Sequence, residues 1–370
     1  MAHHHKIQAS APAKVIISGE HAAVYGLSAL AATLSFRTSV LLSSNRDLSS
    51  EPQVTIILDG DRYSFNTQEL SQYIPNKVKL SDSSLQQCIL SLEPIIPKDR
   101  EDVRPLVVIL LLLTHIISSI IEQFDPLNLE MTIEIESNVP QTIGLGSSAA
   151  LCTALSTAFL AWFGFISLDP TAEDLQLITK WSRIGEIVFH GTPSGIDTAT
   201  STYGKFVAIE KHQPRSIVYP PFKVMVIDSR KRKPPGGTAA AVAMVERRVK
   251  SDRTVINKLD QIHGIVKSIL ASSPAGLSLP DLAELLDQNH LLLNDIGVGF
   301  EEAEQIREVC SMHGFVAKIT GSGLGGCLLA VQKGIKSDVN ALKRDLELAG
   351  FIAYEATLGG PGAEVSVIFD

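Results

Sequence analysis

From Leu129 to Glu136 apolar and polar residues alternate, and Met131, Ile133 and Ile135 fall on one side. A period of two predicts a strand with one buried face. The chain then passes through Pro140-Gln141-Thr142-Ile143-Gly144-Leu145-Gly146-Ser147-Ser148 into a run of small and apolar residues, Ala149 to Phe163, which predicts a helix. Strands are also expected at Lys6–Gly19, centred on Val15, Ile16 and Ile17, and at Phe36–Leu42, Val54–Leu58 and Tyr63–Phe65. Asp59-Gly60-Asp61 between the last two has the chemistry of a tight hairpin turn. Within Asp174–Phe189, Leu175, Leu177, Ile178, Trp181, Ile184, Ile187 and Val188 form a helical apolar face. A turn-rich loop, His190 to Asp197, follows, and then a strand at Phe206–Ile209.

Pro220-Pro221 is the strongest boundary signal. Beyond it come a strand at Val224–Ile227, a basic stretch from Arg230 to Lys233 and the turn Pro234-Pro235-Gly236-Gly237-Thr238. Three or four helices fit between Ala239 and Met312. The pattern then predicts a strand (Phe315–Ile319), a glycine loop (Gly321–Gly326), a strand (Cys327–Val331), a helix (Val339–Leu348) and two final strands. This order is that of an α+β layer, an antiparallel sheet with helices on one face. Gln68–Arg100 is polar and punctuated by proline, and is read only as a variable lobe. Pro105–Ile121 is highly apolar, but it falls short of the ~20 residues of a membrane span and contains Thr114, His115, Ser118 and Ser119. A buried core helix is expected there.

A chain of 370 residues calls for two domains, placed at 1–219 and 220–370. With 45% hydrophobic and 19% charged residues it has a soluble globular composition. The net charge of −8 argues against nucleic acid and against an anionic membrane surface as partners. Cys88, Cys152, Cys310 and Cys327 are scattered without metal-like or paired spacing, which fits a reducing cytoplasm. Met1-Ala2-His3-His4-His5 reads as a tag remnant and is set aside.

The Pro140–Ala150 stretch can form an anion site. Glycines let backbone approach a ligand, and the free N–H groups and dipole of a helix start favour phosphate. An ordinary capped helix with Ser at its N-cap accounts for the same letters equally well. No Lys follows the second glycine, so any cation must come from elsewhere in the chain.

Three separated motifs give the stretch a context. Ala11-Pro12-Ala13-Lys14-Val15-Ile16-Ile17-Ser18-Gly19-Glu20-His21 resembles the first motif of the GHMP kinases. Pro140–Ala150 resembles their phosphate loop, and Lys318-Ile319-Thr320-Gly321-Ser322-Gly323-Leu324-Gly325-Gly326-Cys327 their third motif. Within that family, Gly185-Glu186, His190-Gly191, Pro193–Asp197, Ser201–Gly204 and the segment Asn289–Gly299 resemble the mevalonate-phosphorylating branch. The resemblance implies a two-domain GHMP kinase fold of α+β class, with a ribosomal S5 domain 2-like N-terminal domain that binds ATP and a ferredoxin-like C-terminal domain. It implies ATP-dependent phosphorylation of the C5 hydroxyl of mevalonate, a step toward isoprenoid and sterol precursors. Another small-molecule kinase of the family, or a catalytically silent binding relative, is the alternative.

For individual residues the resemblance implies the following roles. Pro140, Gly144, Leu145, Gly146, Ser147, Ser148 and Ala149 would bind ATP. Ser148 and Glu186 would hold Mg²⁺, which takes oxygen ligands and few of them from protein. Asp197 would be the general base and Lys14 the cation beside it; a free Asp is a weak base, with a reference pKa near 3.9. Lys14, Glu20, His21, Asp197 and Thr238 would contact the substrate. Gly321, Gly323, Gly325 and Gly326 would bring backbone close to the phosphates or to the first motif. The partners implied are ATP and one small molecule, with a homodimer left open. Departures are Ala13 for Gly in the first motif, Ser322 and Leu324 in the third, and Ala208 where an Arg beside the substrate is expected. Spacing alone leaves plainer readings open: an exposed Lys14, a solvated Glu186, a structural His21 and a Thr238 that caps a helix.

Overall fold

The computed structural model describes residues 6–44, 51–75, 82–97, 100–120, 125–141, 144–191, 193–210, 213–272, 276–334 and 338–369. Met1–His5, Ile121, Thr142, Ile143, Thr192 and parts of the lobe between Gln68 and Arg100 lie outside these residues.

Strand β1 (Lys6–Ser18) is paired along its length with β2 (Ala29–Ser43), antiparallel. Ile7, Ala9 and Ala11 alternate inward, and from Ala11 onward every residue of β1 is buried because the strand is covered on both faces. Strands β3 (Gln53–Leu58) and β4 (Asp61–Asn66) form the expected hairpin. Its two turn residues, Asp59 and Gly60, both have positive φ (55° and 87°), the geometry that matches strand twist. The lobe contributes α1 (Thr67–Ser71) and α2 (Asp82–Leu92). Helix α3 (Arg104–Ser118) is buried at every residue from Leu106 to Ser118, and Thr114 and His115 satisfy themselves on the carbonyls of Leu110 and Leu111. It is a core helix, and among the described residues no helix is long and apolar enough to cross a membrane.

Strand β5 (Met131–Ser137) buries Met131, Ile133 and Ile135, runs parallel to β3 and pairs with β2. Helices α4 (Ser147–Trp162) and α5 (Ala172–His190) pack closely enough that a Cβ on Gly185 would lie 2.8 Å from Cys152 Sγ. A short helix, α6 (Ile196–Tyr203), then leads to β6 (Phe206–Glu210), β7 (Gln213–Ile217) and β8 (Phe222–Asp228). Four helices follow: α7 (Gly237–Ser251), α8 (Thr254–Ala271), α9 (Leu279–Asp295) and α10 (Glu301–Met312). The chain ends with β9 (Phe315–Ile319), β10 (Cys327–Gln332), α11 (Val339–Leu348), β11 (Ile352–Leu358) and β12 (Glu364–Val367).

The strands join in the order β4-β3-β5-β2-β11-β8-β10-β9, with β1, β6, β7 and β12 branching from β2 and its neighbours. Two details differ from the sequence pattern. β12 returns to pair with β1, Ile7 opposite Val367, instead of completing the C-terminal layer. The C-terminal strands are also buried on both faces. Val224, Val226 and Leu329 pack with Ile265, Leu282 and Leu286 of α8 and α9. Met225, Ile227 and Leu328 pack with Ile306 and Leu342 of α10 and α11. An unbroken apolar run such as Val224–Ile227 is what two-sided burial produces.

Candidate active site

Lys14 sits mid-strand in β1, at a register shift against β2, and its N–H donates to Leu145 O at 2.8 Å. That bond lays the glycine loop across the strand. Gly146 has φ 74°, and a Cβ there would lie 2.9 Å from Lys14 Cε, so a side chain would be strained and would collide. Threaded beneath the loop, the Lys14 ammonium reaches Asp197 Oδ1 at 3.0 Å. Asp197 lies in the first turn of α6, which Ser201 pins to β1 by donating to Pro12 O at 2.8 Å. The Lys14 side chain is 6% exposed and that of Asp197 is 32%, so the carboxylate faces the open side of the pair.

Gly146 occupies the cap position of α4 and no side chain caps the helix. The sequence left open a serine cap; Ser147 and Ser148 are the first helical residues instead. The N–H groups of the first turn are therefore left without a capping side chain. Leu145 and Ala149 are buried and Pro140 is partly buried. The tight α4–α5 packing brings Glu186 to this helix start. Glu186 is 2% exposed and its Oε1 has no partner, while Oε2 lies 3.8 Å from His190 Nε2. His190 Nε2 is in turn 3.2 Å from Ser148 Oγ. Burial, and then the negative charge of Asp197, push the Glu186 carboxyl up to about 7; the Ser148 hydroxyl and Lys14 partly offset this. An orphaned, buried carboxylate oxygen beside a hydroxyl is a donor set that suits a hard divalent cation.

On the opposite side, His21 adopts a left-handed backbone (φ 59°), and its Nε2–H donates to Ser322 O at 3.0 Å. Burial lowers its pKa, which favours neutral imidazole, and Nδ1 is left as a buried acceptor without a partner. Glu20 is turned inward. One oxygen takes the Lys318 ammonium and the other accepts from Asn289 Nδ2 at 3.1 Å. Lys318 also donates to Ile319 O (2.6 Å) and Ile16 O (3.3 Å). Thr320 Oγ1 accepts from Ile16 N–H (2.9 Å) and donates to Ile16 O (3.1 Å), so the first and third motifs are bonded directly. A Cβ on Gly323 would lie 2.5 Å from Val298 O, and one on Gly325 2.7 Å from Lys231 O. Gly326 N–H donates to Lys231 O at 2.9 Å, whereas Gly321 faces open space.

Thr238, at the start of α7, is exposed and accepts from Lys233 Nζ at 3.3 Å; Lys233 also donates to Ser322 Oγ at 2.8 Å. Lys233, His190, Lys318 and Asn289 carry no assignment in the sequence reading. Lys233 stood only as the end of the basic stretch from Arg230, and Lys318 and Asn289 only as motif letters. Ala208 is buried on β6 opposite Leu30 and offers no polar atom beside the site.

The glycine loop lies at an uncapped helix start beside a lysine–aspartate pair and an orphaned acidic oxygen, which suits phosphoryl transfer to a small molecule; the family matches make the class that of the GHMP kinases. Residues 112–205 match the family model described as the GHMP kinases N terminal domain, and residues 274–353 that described as GHMP kinases C terminal. Mevalonate kinase of Bos taurus is 33% identical over 96% of this chain and 94% of its own. The Methanococcus jannaschii mevalonate kinase structure superposes with a TM-score of 0.73 at 20% identity, covering 97% of this chain and 99% of that one. An L. major mevalonate kinase in complex with R-mevalonate gives 0.67 at 21% identity, covering 95% and 96%. The chain belongs to the mevalonate kinase family.

Proposed function

We propose that this chain transfers the γ-phosphoryl group of ATP to the C5 hydroxyl of mevalonate. The observation that carries the reading is the 3.0 Å contact of Lys14 Nζ with Asp197 Oδ1 directly beneath the glycine loop. It puts a proton acceptor and a cation side by side where a phosphoryl group would arrive. The family relationship supplies the substrate, since relatives about 30% identical over nearly their full length are mevalonate kinases.

Phosphoryl transfer asks for positioning and charge neutralisation more than for covalent chemistry. The N–H groups of Gly144 to Ala149, behind Pro140, hold the β- and γ-phosphates. Ser148 and Glu186 would hold Mg²⁺, which would supply positive charge to offset that of the phosphates. Asp197 Oδ1 takes the proton of the C5 hydroxyl as its oxygen bonds to phosphorus. Lys14 Nζ steadies the developing alkoxide and draws the γ-phosphate toward it. His21 Nδ1 and Thr238 Oγ1 orient the remaining oxygens of the substrate. Glu20 acts from behind: bound to Lys318 and Asn289, it fixes the turn that carries His21.

The ATP-binding unit is 1–219 and the second unit 220–370, divided at Pro220. Cys152, Cys310 and Cys327 are buried and Cys88 is partly buried, all as free thiols, which suits the cytoplasm. A panel of mevalonate, phosphomevalonate, homoserine and galactose, each with ATP and Mg²⁺ and followed by ³¹P NMR, tests the function. A new phosphomonoester on mevalonate alone is expected; turnover of another member with none of mevalonate would overturn the reading.

A further inference from the structure

Mevalonate carries a carboxylate at the end remote from the hydroxyl that is phosphorylated, so the site needs a cation not otherwise engaged. Three lysines near the site are engaged: Lys14 with Asp197, Lys318 with Glu20 and Lys231 with Glu302. Lys233 makes no ion pair among the described residues. Its ammonium rests on two neutral hydroxyls, Ser322 Oγ at 2.8 Å and Thr238 Oγ1 at 3.3 Å. Ser322 Oγ–H also donates to Thr238 Oγ1 at 3.3 Å, so the Thr238 proton is the free end of the chain of bonds. An ammonium and an O–H donor thus converge on one spot.

The same Ser322 takes His21 on its carbonyl, which ties this spot to the residue proposed above to orient the substrate. Burial and then the nearby Lys14 charge lower the Lys233 pKa, Asp197 offsets part of this, and a bound anion would offset more. Ala208 supplies no cation to compete for the role. We infer that Lys233, with Thr238, anchors the carboxylate of the substrate and so selects a hydroxy acid over a neutral alcohol. This rests on the function proposed above. The rival role is set by Gly144, where a Cβ would lie 3.9 Å from Lys233 Nζ: the ammonium could serve the phosphates instead.

Steady-state kinetics of Lys233→Met and Lys233→Arg decide between the two. A charge-assisted hydrogen bond lost from substrate binding should raise KM for mevalonate roughly 10- to 100-fold in Lys233→Met. KM for ATP should stay within about twofold, and Lys233→Arg should recover most of the loss. With 3-methylpentane-1,3,5-triol, which replaces the carboxylate by a hydroxymethyl group, wild type and Lys233→Met should have the same kcat/KM. A raised KM for ATP with that for mevalonate unchanged, no change in either, or an equal loss on the triol would overturn the proposal. A wild type that does not turn over mevalonate would instead refute the function itself, so the two failures are distinct.

Discussion

Exchanging Glu20 for Gln removes the only carboxylate facing the Lys318 ammonium among the described residues, in a place that solvent does not reach. The side chains are 1% and 0% exposed. All three ammonium donors are used, on Glu20, Ile319 O and Ile16 O, and both Glu20 oxygens are taken. Burial lowers the Lys318 pKa by more than Glu20 restores, so the pair as a whole stabilises little. Removing one partner is another matter, because it strands a charge: about 3–5 kcal/mol for Glu20→Gln or for Lys318→Met. With an m value of roughly 3 kcal/mol/M, each single variant should lower the urea midpoint by about 1–1.7 M at unchanged m. The double variant strands nothing and should lose much less than the sum, with a coupling of at least ~2 kcal/mol. Urea unfolding followed by circular dichroism on the four proteins gives the cycle. Single losses below ~1 kcal/mol, or a double loss equal to the sum, would show that neither variant strands a buried charge.

Two further predictions concern stability. The Glu186 carboxyl, raised from 4.5 to about 7, keeps a proton in the folded metal-free protein that the unfolded chain gives up, so its contribution to stability is lost as pH rises through that window. Glu186→Gln should therefore gain on wild type by about 3 kcal/mol between pH 4.5 and 8, measured without metal; a constant difference would contradict this. Gly321→Ala and Gly323→Ala both force alanine into positive φ, at about 1–2 kcal/mol, but only Gly323 meets backbone, Val298 O at 2.5 Å. Gly323→Ala should be the worse by roughly 1–3 kcal/mol in thermal or urea unfolding, and equal losses would remove the Val298 contact from the account.

Much of the fold was legible because burial leaves a period. β5 shows its alternation, the Asp59-Gly60 turn its two left-handed residues, and α11 begins and ends at the residues its pattern gives. Elements without such a signal were not. α6 is short and rich in Thr and Ser, its cap is Gly195, and its first two residues belong to the stretch that reads as a turn-rich loop. β7 is polar and contains Pro214, and it is a strand by virtue of pairing with β6. β2 begins at Ala29, where burial on both faces erases the alternation. At the site, the motif letters marked Lys14, Ser148, Glu186 and Asp197, which the fold does bring together. They could not reveal that Glu20 is turned away onto Lys318, or that Lys233 folds back from a basic run onto Ser322. Those contacts join residues far apart in the chain, and local sequence carries no trace of them.

Asp197 and Lys14 are proposed to act together on one proton, and a double-mutant cycle in kcat with mevalonate measures that coupling. Asp197→Asn keeps the size and hydrogen bonding of the side chain and removes its charge, so kcat should fall by about 10²–10⁴ with little change in ATP binding. Lys14→Met should also lower kcat, by removing the ammonium 3.0 Å from that carboxylate. The double variant should lose less than the sum of the two free energies, since both serve the same transfer. A near-normal kcat in folded Asp197→Asn would mean that Asp197 is not the base, and fully additive losses in the double variant that the two residues act independently.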